Sequence, residues 1–453
     1  MKQALTLAAA AVLLAACAGP EPRKPSAPEA AQAALPAAAF PDAGGTGTAA
    51  AALPWAQAFQ GARLQRLIPL ALANNRDLRV AAASIEAARA TAAARDADLW
   101  PTVNAGVTGT RSSTTSSYQA GLQVTAWELD FFGRLRSAGT AAQAQLLAAE
   151  ASQQAVRNAL VAAIATTEIA LQADEALLQI TRDTLASREQ SLGLIRQRFE
   201  GGITSELDLR AAESALQAAR VALAQTQRQR ALDQNALVLL LGSALPADLP
   251  APTGLLADFE PLAELPAGVP ADVLTRRPDL RQAEAQLAAT DANIAAARAA
   301  FWPRITLTGS VGTASNELSE LFSNSVWSFT PQLLQPLFDA GRNRANLAAA
   351  RAQRDAATAQ YEKAIQSAFR DVADALAGRT TLSEQRAAQA ALVDAESRRL
   401  ALADERYRAG VSSSLEVLDA QRSLFAARQA LVQVQSLRAQ NLVAVYRSLG
   451  GGN

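Results

Sequence analysis

Histidine is absent from the 453 residues, and cysteine and methionine occur once each. The first absence removes the commonest general base and the commonest transition-metal ligand; the second leaves no partner for an internal disulfide. No GxxxxGK[ST] loop is present to cradle nucleotide phosphates. Acids and bases balance at 42 each, so there is no bulk attraction to nucleic acid. No catalytic residue, no metal ligand and no cofactor is therefore expected, and the chain reads as a non-enzyme. Aromatic residues are scarce at 5%, which argues against a compact core built on large side chains. What is abundant is alanine, the best helix former and the smallest side chain after glycine, which suits long helices packed closely together. The length allows two or three ordinary domains, or one architecture built twice.

The lone cysteine lies in MKQALTLAAAAVLLAACAGP at the N-terminus. Lys2 opens a short positive region, and Ala4 to Ala16 form an apolar run too short to span a bilayer. Leu14-Ala15-Ala16-Cys17 resembles the lipobox of bacterial lipoprotein signal peptides, which implies a signal peptide over 1–16 and lipidation of Cys17. Ala18, in place of an aspartate, implies an outer-membrane destination. Residues 17–54 form a Pro-, Ala-, Gly- and Thr-rich stretch without periodicity, read as an extended tether.

Proline is unevenly placed. None occurs between Pro101 and Pro246, and none follows Pro336. Since proline costs about 3 kcal/mol inside a helix, these gaps are where very long helices can exist. The spacing predicts helices from Arg134 to Arg198 and from Ser205 to Leu241, then from Arg342 to Arg408 and from Ser414 to Leu449. Glycines at 201–202 and 410 break each pair into a hairpin. The two tips are copies: RFEGGITSELDLRAAESALQAAR, from Arg198, aligns without a gap on RYRAGVSSSLEVLDAQRSLFAAR, from Arg406. Gly202 falls on Gly410, Ser205 on Ser413 and Asp208 on Glu416. Both serines are placed to cap the returning helices. LWPTV at Leu99 also matches FWPRI at Phe301, so the chain reads as two repeats, 55–255 and 256–453, with strands at about 102–127 and about 304–335 and hairpin tips at about 198–208 and about 406–419.

Between each Trp-Pro and the following long helix the hydrophobic period changes to two. Val103, Ala105 and Val107 alternate with Thr102, Asn104, Gly106 and Thr108. Ala120, Leu122, Val124 and Ala126 alternate with Gln119, Gly121, Gln123 and Thr125. In the second repeat Ile305, Leu307 and Val311 alternate with Thr306, Thr308 and Ser310, and Trp327, Phe329 and Leu333 with Ser328, Thr330 and Gln332. These runs have the length of tilted membrane strands. Trp100, Trp127, Trp302 and Trp327 lie at or near their ends, where an interfacial aromatic belt belongs. Two half-buried hairpins of a water-soluble sheet would show the same alternation. In lipid, four strands per chain leave open edges, so closure into a barrel demands at least two chains and better three.

RRPDLRQAEAQL followed by FWPRITLTGSVG, WELDFFGRLR at Trp127, LFDAGRNRA at Leu337 and the twin tips together resemble TolC-type outer-membrane efflux proteins, in their lipoprotein, NodT- or OprM-like branch. The resemblance covers almost everything after Leu53. It implies a mainly α fold with a small membrane β-barrel contribution: long helical hairpins forming a periplasmic tunnel, and four strands per chain closed by a homotrimer into a twelve-stranded barrel. It also implies a passive exit duct in the outer membrane of a Gram-negative bacterium, working with a periplasmic adaptor (membrane fusion protein) and an inner-membrane transporter of the RND type. By the same resemblance Tyr407, Glu416, Asp419 and Asp208 form a gate, with a Tyr407 hydroxyl donating to Asp208. Glu416 and Asp419, three apart on one helix face, would crowd carboxylates around a threefold axis, raise some of their pKa values and favour cations. A solvated helix face would carry the same acids. Ser412 stands where some members have an arginine, so a salt-bridge lock is not expected there. Gly202, Ser205, Gly410 and Ser413 would meet the adaptor, although turn and cap chemistry alone also accounts for them. The alternative from another class is a periplasmic helical-hairpin scaffold or adaptor lipoprotein without a pore.

Overall fold

The computed structural model describes residues 54–59, 61–252 and 276–451. Cys17, the signal peptide and the tether lie outside the described residues. A short helix α1 (Trp55–Ala58) precedes α2 (Ala62–Asn74) and α3 (Arg76–Ala97); strands β1 (Val103–Arg111) and β2 (Ser116–Glu128) follow. Then come α4 (Arg134–Glu200) and α5 (Glu206–Leu241). The order repeats as α6 (Pro278–Ala299), β3 (Arg304–Ser315), β4 (Ser325–Leu334), α7 (Arg342–Arg408) and α8 (Ser414–Ser448), with a 3₁₀ turn, Leu318–Glu320, between β3 and β4. Each long helix, α4 and α7, has 67 residues, about 100 Å at 1.5 Å per residue.

Local chemistry sets the boundaries. Asn75 caps α3, its side chain accepting from Leu78 N–H at 3.0 Å while donating to the Leu240 carbonyl of α5 at 2.8 Å. Pro278 opens α6, where its missing N–H costs nothing. Among the described residues no helix is long and apolar enough to cross a membrane.

All four strands form one antiparallel sheet in the order β1-β2-β3-β4. Directly paired residues share a face, and the register sorts the side chains by polarity. Ala105, Leu122, Val311 and Trp327 make one transverse row, while Asn104, Gln123, Ser310 and Ser328 make the next on the opposite face. Ser310 and Ser328 share a hydrogen bond of 2.7 Å. Gly121 pairs with Gly312. A Cβ on either would collide with the facing strand, at the Val311 carbonyl for Gly121 and the Ala120 carbonyl for Gly312. The alternation predicted through Ala126 ends one residue early. A bulge between Val124 and Trp127 puts Ala126 at φ +49° and its N–H on Thr308 Oγ1 at 3.1 Å. The extra residue brings Trp127 opposite Leu307, onto the apolar face with Leu122 and Val124, and its Nε1 donates to the Leu99 carbonyl at 3.1 Å.

Just beyond the sheet, Glu128 gathers Arg134 at 2.7 Å and Arg304 at 2.6 Å, and Phe132 stacks on Trp302 with ring centres 5.4 Å apart. These contacts join the two repeats where strands become helices. The main core lies farther along, where α2 (Leu64, Leu67, Ile68) packs among α4, α5, α7 and α8. Glu168 is fully buried there and held by Arg63 through two contacts of 2.5 and 3.0 Å and by Gln172 at 2.9 Å. Toward the tips the apolar clusters shrink to Leu192, Ile195, Leu209, Ala212 and Leu216 in one hairpin and Ala403, Tyr407, Val417 and Ala420 in the other. Local opening is least opposed where burial is thinnest.

Candidate functional site at the hairpin tips

Both tips turn on a glycine in the left-handed region, Gly202 at φ +72° and Gly410 at φ +75°. A side chain there would be strained at either position. Ser205 caps α5: its Oγ accepts from Asp208 N–H at 3.2 Å, while Asp208 Oδ2 accepts from Ser205 Oγ at 2.6 Å and from its N–H at 3.3 Å. That is a capping box closed by an aspartate. Thr204 adds a further donor at 3.0 Å. Ser413 holds the corresponding place before α8 but makes no side-chain cap bond.

The other Asp208 oxygen, Oδ1, leaves its own hairpin and accepts from Ser414 Oγ at 2.5 Å. The bonds from Ser205, Ser414 and Thr204 hold its carboxyl down at about 2. The resemblance led us to expect Tyr407 as that donor. Instead the Tyr407 hydroxyl is buried and has no hydrogen-bond partner among the described residues, while its ring receives the Arg198 guanidinium at 4.4 Å. The shorter serine, at the first position of α8, reaches Asp208. About two turns along, Gln421 Nε2 donates to Ser187 and Ser191 of α4 at 3.3 and 3.1 Å. Ser414, Gln421 and Arg198 thus fasten one hairpin to the other; none was singled out from the sequence.

The acidic pair is also differently placed from the expectation of a bare ring. Asp419 meets Arg399 at 2.6 Å and Arg422 at 2.6 Å, and the Arg399 guanidinium chiefly lowers its pKa. Crowding was expected to raise such values; within one protomer the two arginines outweigh it. Glu416 makes no ion pair among the described residues and is exposed. Among the described residues no cluster of acids, cysteines or histidines could hold a metal ion. Of the belt residues, Trp100, Trp302 and Trp327 are exposed and Trp127 is half-buried.

The comparisons extend over nearly the whole chain. TtgC, a probable efflux pump outer membrane protein of Pseudomonas putida strain KT2440, is 44% identical across 100% of this chain and 96% of its own length. OprJ, an outer membrane protein of Pseudomonas aeruginosa, is 44% identical over 90% and 88%. The open state of the Neisseria gonorrhoeae MtrE outer membrane channel superposes with a TM-score of 0.86 at 36% identity, over 96% of this chain and 98% of that one. Residues 67–243 and 269–451 match the family described as outer membrane efflux protein, and the chain belongs to that family.

Proposed function

We propose that this chain is the outer-membrane exit duct of a tripartite efflux pump, a passive channel whose transport energy comes from an inner-membrane transporter of the RND type through a periplasmic adaptor. The observation that carries this reading is the sheet. Its two faces are sorted into apolar and polar rows, and its outer strands β1 and β4 each have one paired edge and one open edge. An open edge in lipid leaves unpaired N–H and C=O groups, each costing several kcal/mol. Three copies joined β4 to β1 leave no edge and form a barrel of twelve strands, with Val107, Leu122, Trp327 and Phe329 toward lipid and Asn104, Gln123 and Ser310 toward water. Lipidated Cys17 adds an anchor. The helical hairpins, which leave the same end of the sheet, continue the duct into the periplasm. The repeats 55–255 and 256–453 each contribute one strand pair and one hairpin, and Trp100, Trp127, Trp302 and Trp327 mark the membrane boundary.

In this reading the tips are the gate. Asp208 with Ser414 and Arg198 with Tyr407 hold the hairpins together, while Glu416 and Asp419 present carboxylates toward the axis. Gly202, Ser205, Gly410 and Ser413 form the end surface offered to the adaptor. Two measurements test the duct. Single cysteines along β1 and β4 should cross-link only between copies, giving a covalent trimer, and the purified protein should conduct in planar bilayers. A monomer without conductance would instead favour the periplasmic scaffold.

A further inference from the structure

Arg188 lies on α4, about three turns before its end, and is 7% exposed. Its Nε has no hydrogen-bond partner, and no ion pair to Arg188 occurs among the described residues. A buried guanidinium without a counter-charge is unfavourable, and such an unmet group calls for an explanation. Burial disfavours its charged form, and the Arg422 charge, of the same sign, adds to that.

The surroundings supply one. α8 packs chiefly on α7 and next on α4, and barely touches α5. A groove of about 680 Å³ is left between α5 and α8, and Arg188 contributes to its wall. This volume falls within the usual range of small-molecule sites. Ala211 and Ala215 line it from α5, and Leu415, Leu418 and Phe425 from α8. Its other charged groups are Arg399, Arg422, Asp419 and Glu416. Arg399 and Arg422 both spend their charge on Asp419. Asp419 is thus already held by two arginines; of the groove's remaining charged groups, Glu416 is exposed while Arg188 is a desolvated cation beside an apolar wall.

We propose that this groove is a binding site for a small organic monoanion, an aromatic or short aliphatic carboxylate or sulfonate, whose oxyanion pairs with Arg188 and whose apolar body lies against Leu418 and Phe425. A planar guanidinium suits a two-oxygen head group, and the apolar wall selects against hydrated inorganic anions. The groove shares Glu416 and Asp419 with the proposed gate, but the binding claim rests on Arg188 and the apolar wall and stands whether or not the gate reading does.

The test uses the full-length protein in detergent, titrated with 4-(trifluoromethyl)benzoate and followed by fluorine NMR line width. The neutral 4-(trifluoromethyl)benzamide, of the same shape, measures partition into the micelle. Saturable broadening of the benzoate alone is expected, weakened at least tenfold in Arg188→Gln and to a lesser degree in Arg188→Lys, which keeps the charge and loses the planar fork. The benzoate, but not the amide, should also raise the melting temperature of the unmodified protein, a readout that needs no variant. The proposal is overturned if the two probes behave alike, or if Arg188→Gln binds as the unmodified protein does. It is equally overturned if benzoate binds only after Glu416→Gln, for Glu416 would then be the counter-ion. Failure of every probe in a trimer that conducts normally would leave the duct standing and remove the site.

Discussion

Ser414→Ala isolates the link between the two hairpins. Asp208 Oδ2 serves its own helix cap, through Ser205 and Thr204, whereas Oδ1 accepts only from Ser414 across the gap. Losing the Ser414 hydroxyl therefore leaves the capping box intact, and alanine at the first position of α8 keeps that helix. A hydrogen bond to a charged group contributes about 1.5–3 kcal/mol. Asp208 is only partly buried, so solvent screening brings the figure down to about 1 kcal/mol. With one such bond per protomer and three protomers opening together, the closed state loses about 3 kcal/mol, roughly a hundredfold in the closed-to-open ratio.

The assay is single-channel recording in planar bilayers. Ser414→Ala should raise open occupancy by that order, and Asp208→Ala, which removes the acceptor, should open the gate little further on top of it, because both changes remove the same bond. Acid should act in the same direction. The Asp208 pKa is depressed in the latched state to about 2 from an ordinary 3.8. The part of that depression due to Ser414 stabilises the latch at higher pH and disappears as pH falls through about 2, while the Ser205 and Thr204 bonds belong to both states. Unchanged occupancy in Ser414→Ala, or full additivity of the two substitutions, would refute the latch.

Glu168→Gln should cost about 3–5 kcal/mol, since it leaves Arg63 facing a neutral partner in the core; the melting temperature should fall and protease should cut near α2 sooner. Gly312→Ala forces a methyl into the β2 backbone and should destabilise the sheet by about 1–3 kcal/mol, read as loss of heat-modifiable oligomers on gels. Asp174, on α4, is buried beside Asp233, and burial followed by that second carboxyl pushes its pKa up to about 7. A group raised in the folded state contributes fully below its unfolded value near 4 and loses that contribution as pH rises to about 7. Melting temperature should thus fall across that window, and Asp174→Asn should flatten the profile.

The long helices and the sheet were legible because their signals are additive. Dozens of consecutive residues without proline leave few alternatives to α4 and α7, and the two-residue period runs through all four strands. The bulge at Ala126 was not legible: alanine fits either face, so the pattern reads on smoothly past the point where the backbone breaks it. The same limit applies at the second tip. Ser412, Ser413 and Ser414 are chemically alike, and only the place where α8 starts decides which hydroxyl meets Asp208. Tyr407 looked the natural donor by resemblance, but the Arg198 guanidinium occupies its ring and its hydroxyl is left without a partner. Arg188 is one of 42 basic residues, and its isolation depends on partners far away in sequence.

The differences between the two tips explain why a duplicated segment can hold itself together. In the alignment Glu206 falls on Ser414 and Asp208 on Glu416. Two identical copies of the first tip would set a glutamate where Ser414 now stands, a carboxylate against the Asp208 carboxylate, and like charges at hydrogen-bonding distance repel. A serine there removes one charge and supplies a hydroxyl, turning repulsion into a 2.5 Å bond. Farther along, Ala211 and Ser214 of the first copy correspond to Asp419 and Arg422 of the second, so only α8 brings charges to the α5–α8 groove from these positions. Restoring the symmetry with Ser414→Glu should therefore open the gate more than Ser414→Ala does, since it adds repulsion to the loss of the bond. The excess should fade in high salt, which screens the repulsion and leaves the missing hydrogen bond unrepaired. Equal open occupancy in the two variants at low salt would show that Asp208 does not face this position when the channel is closed.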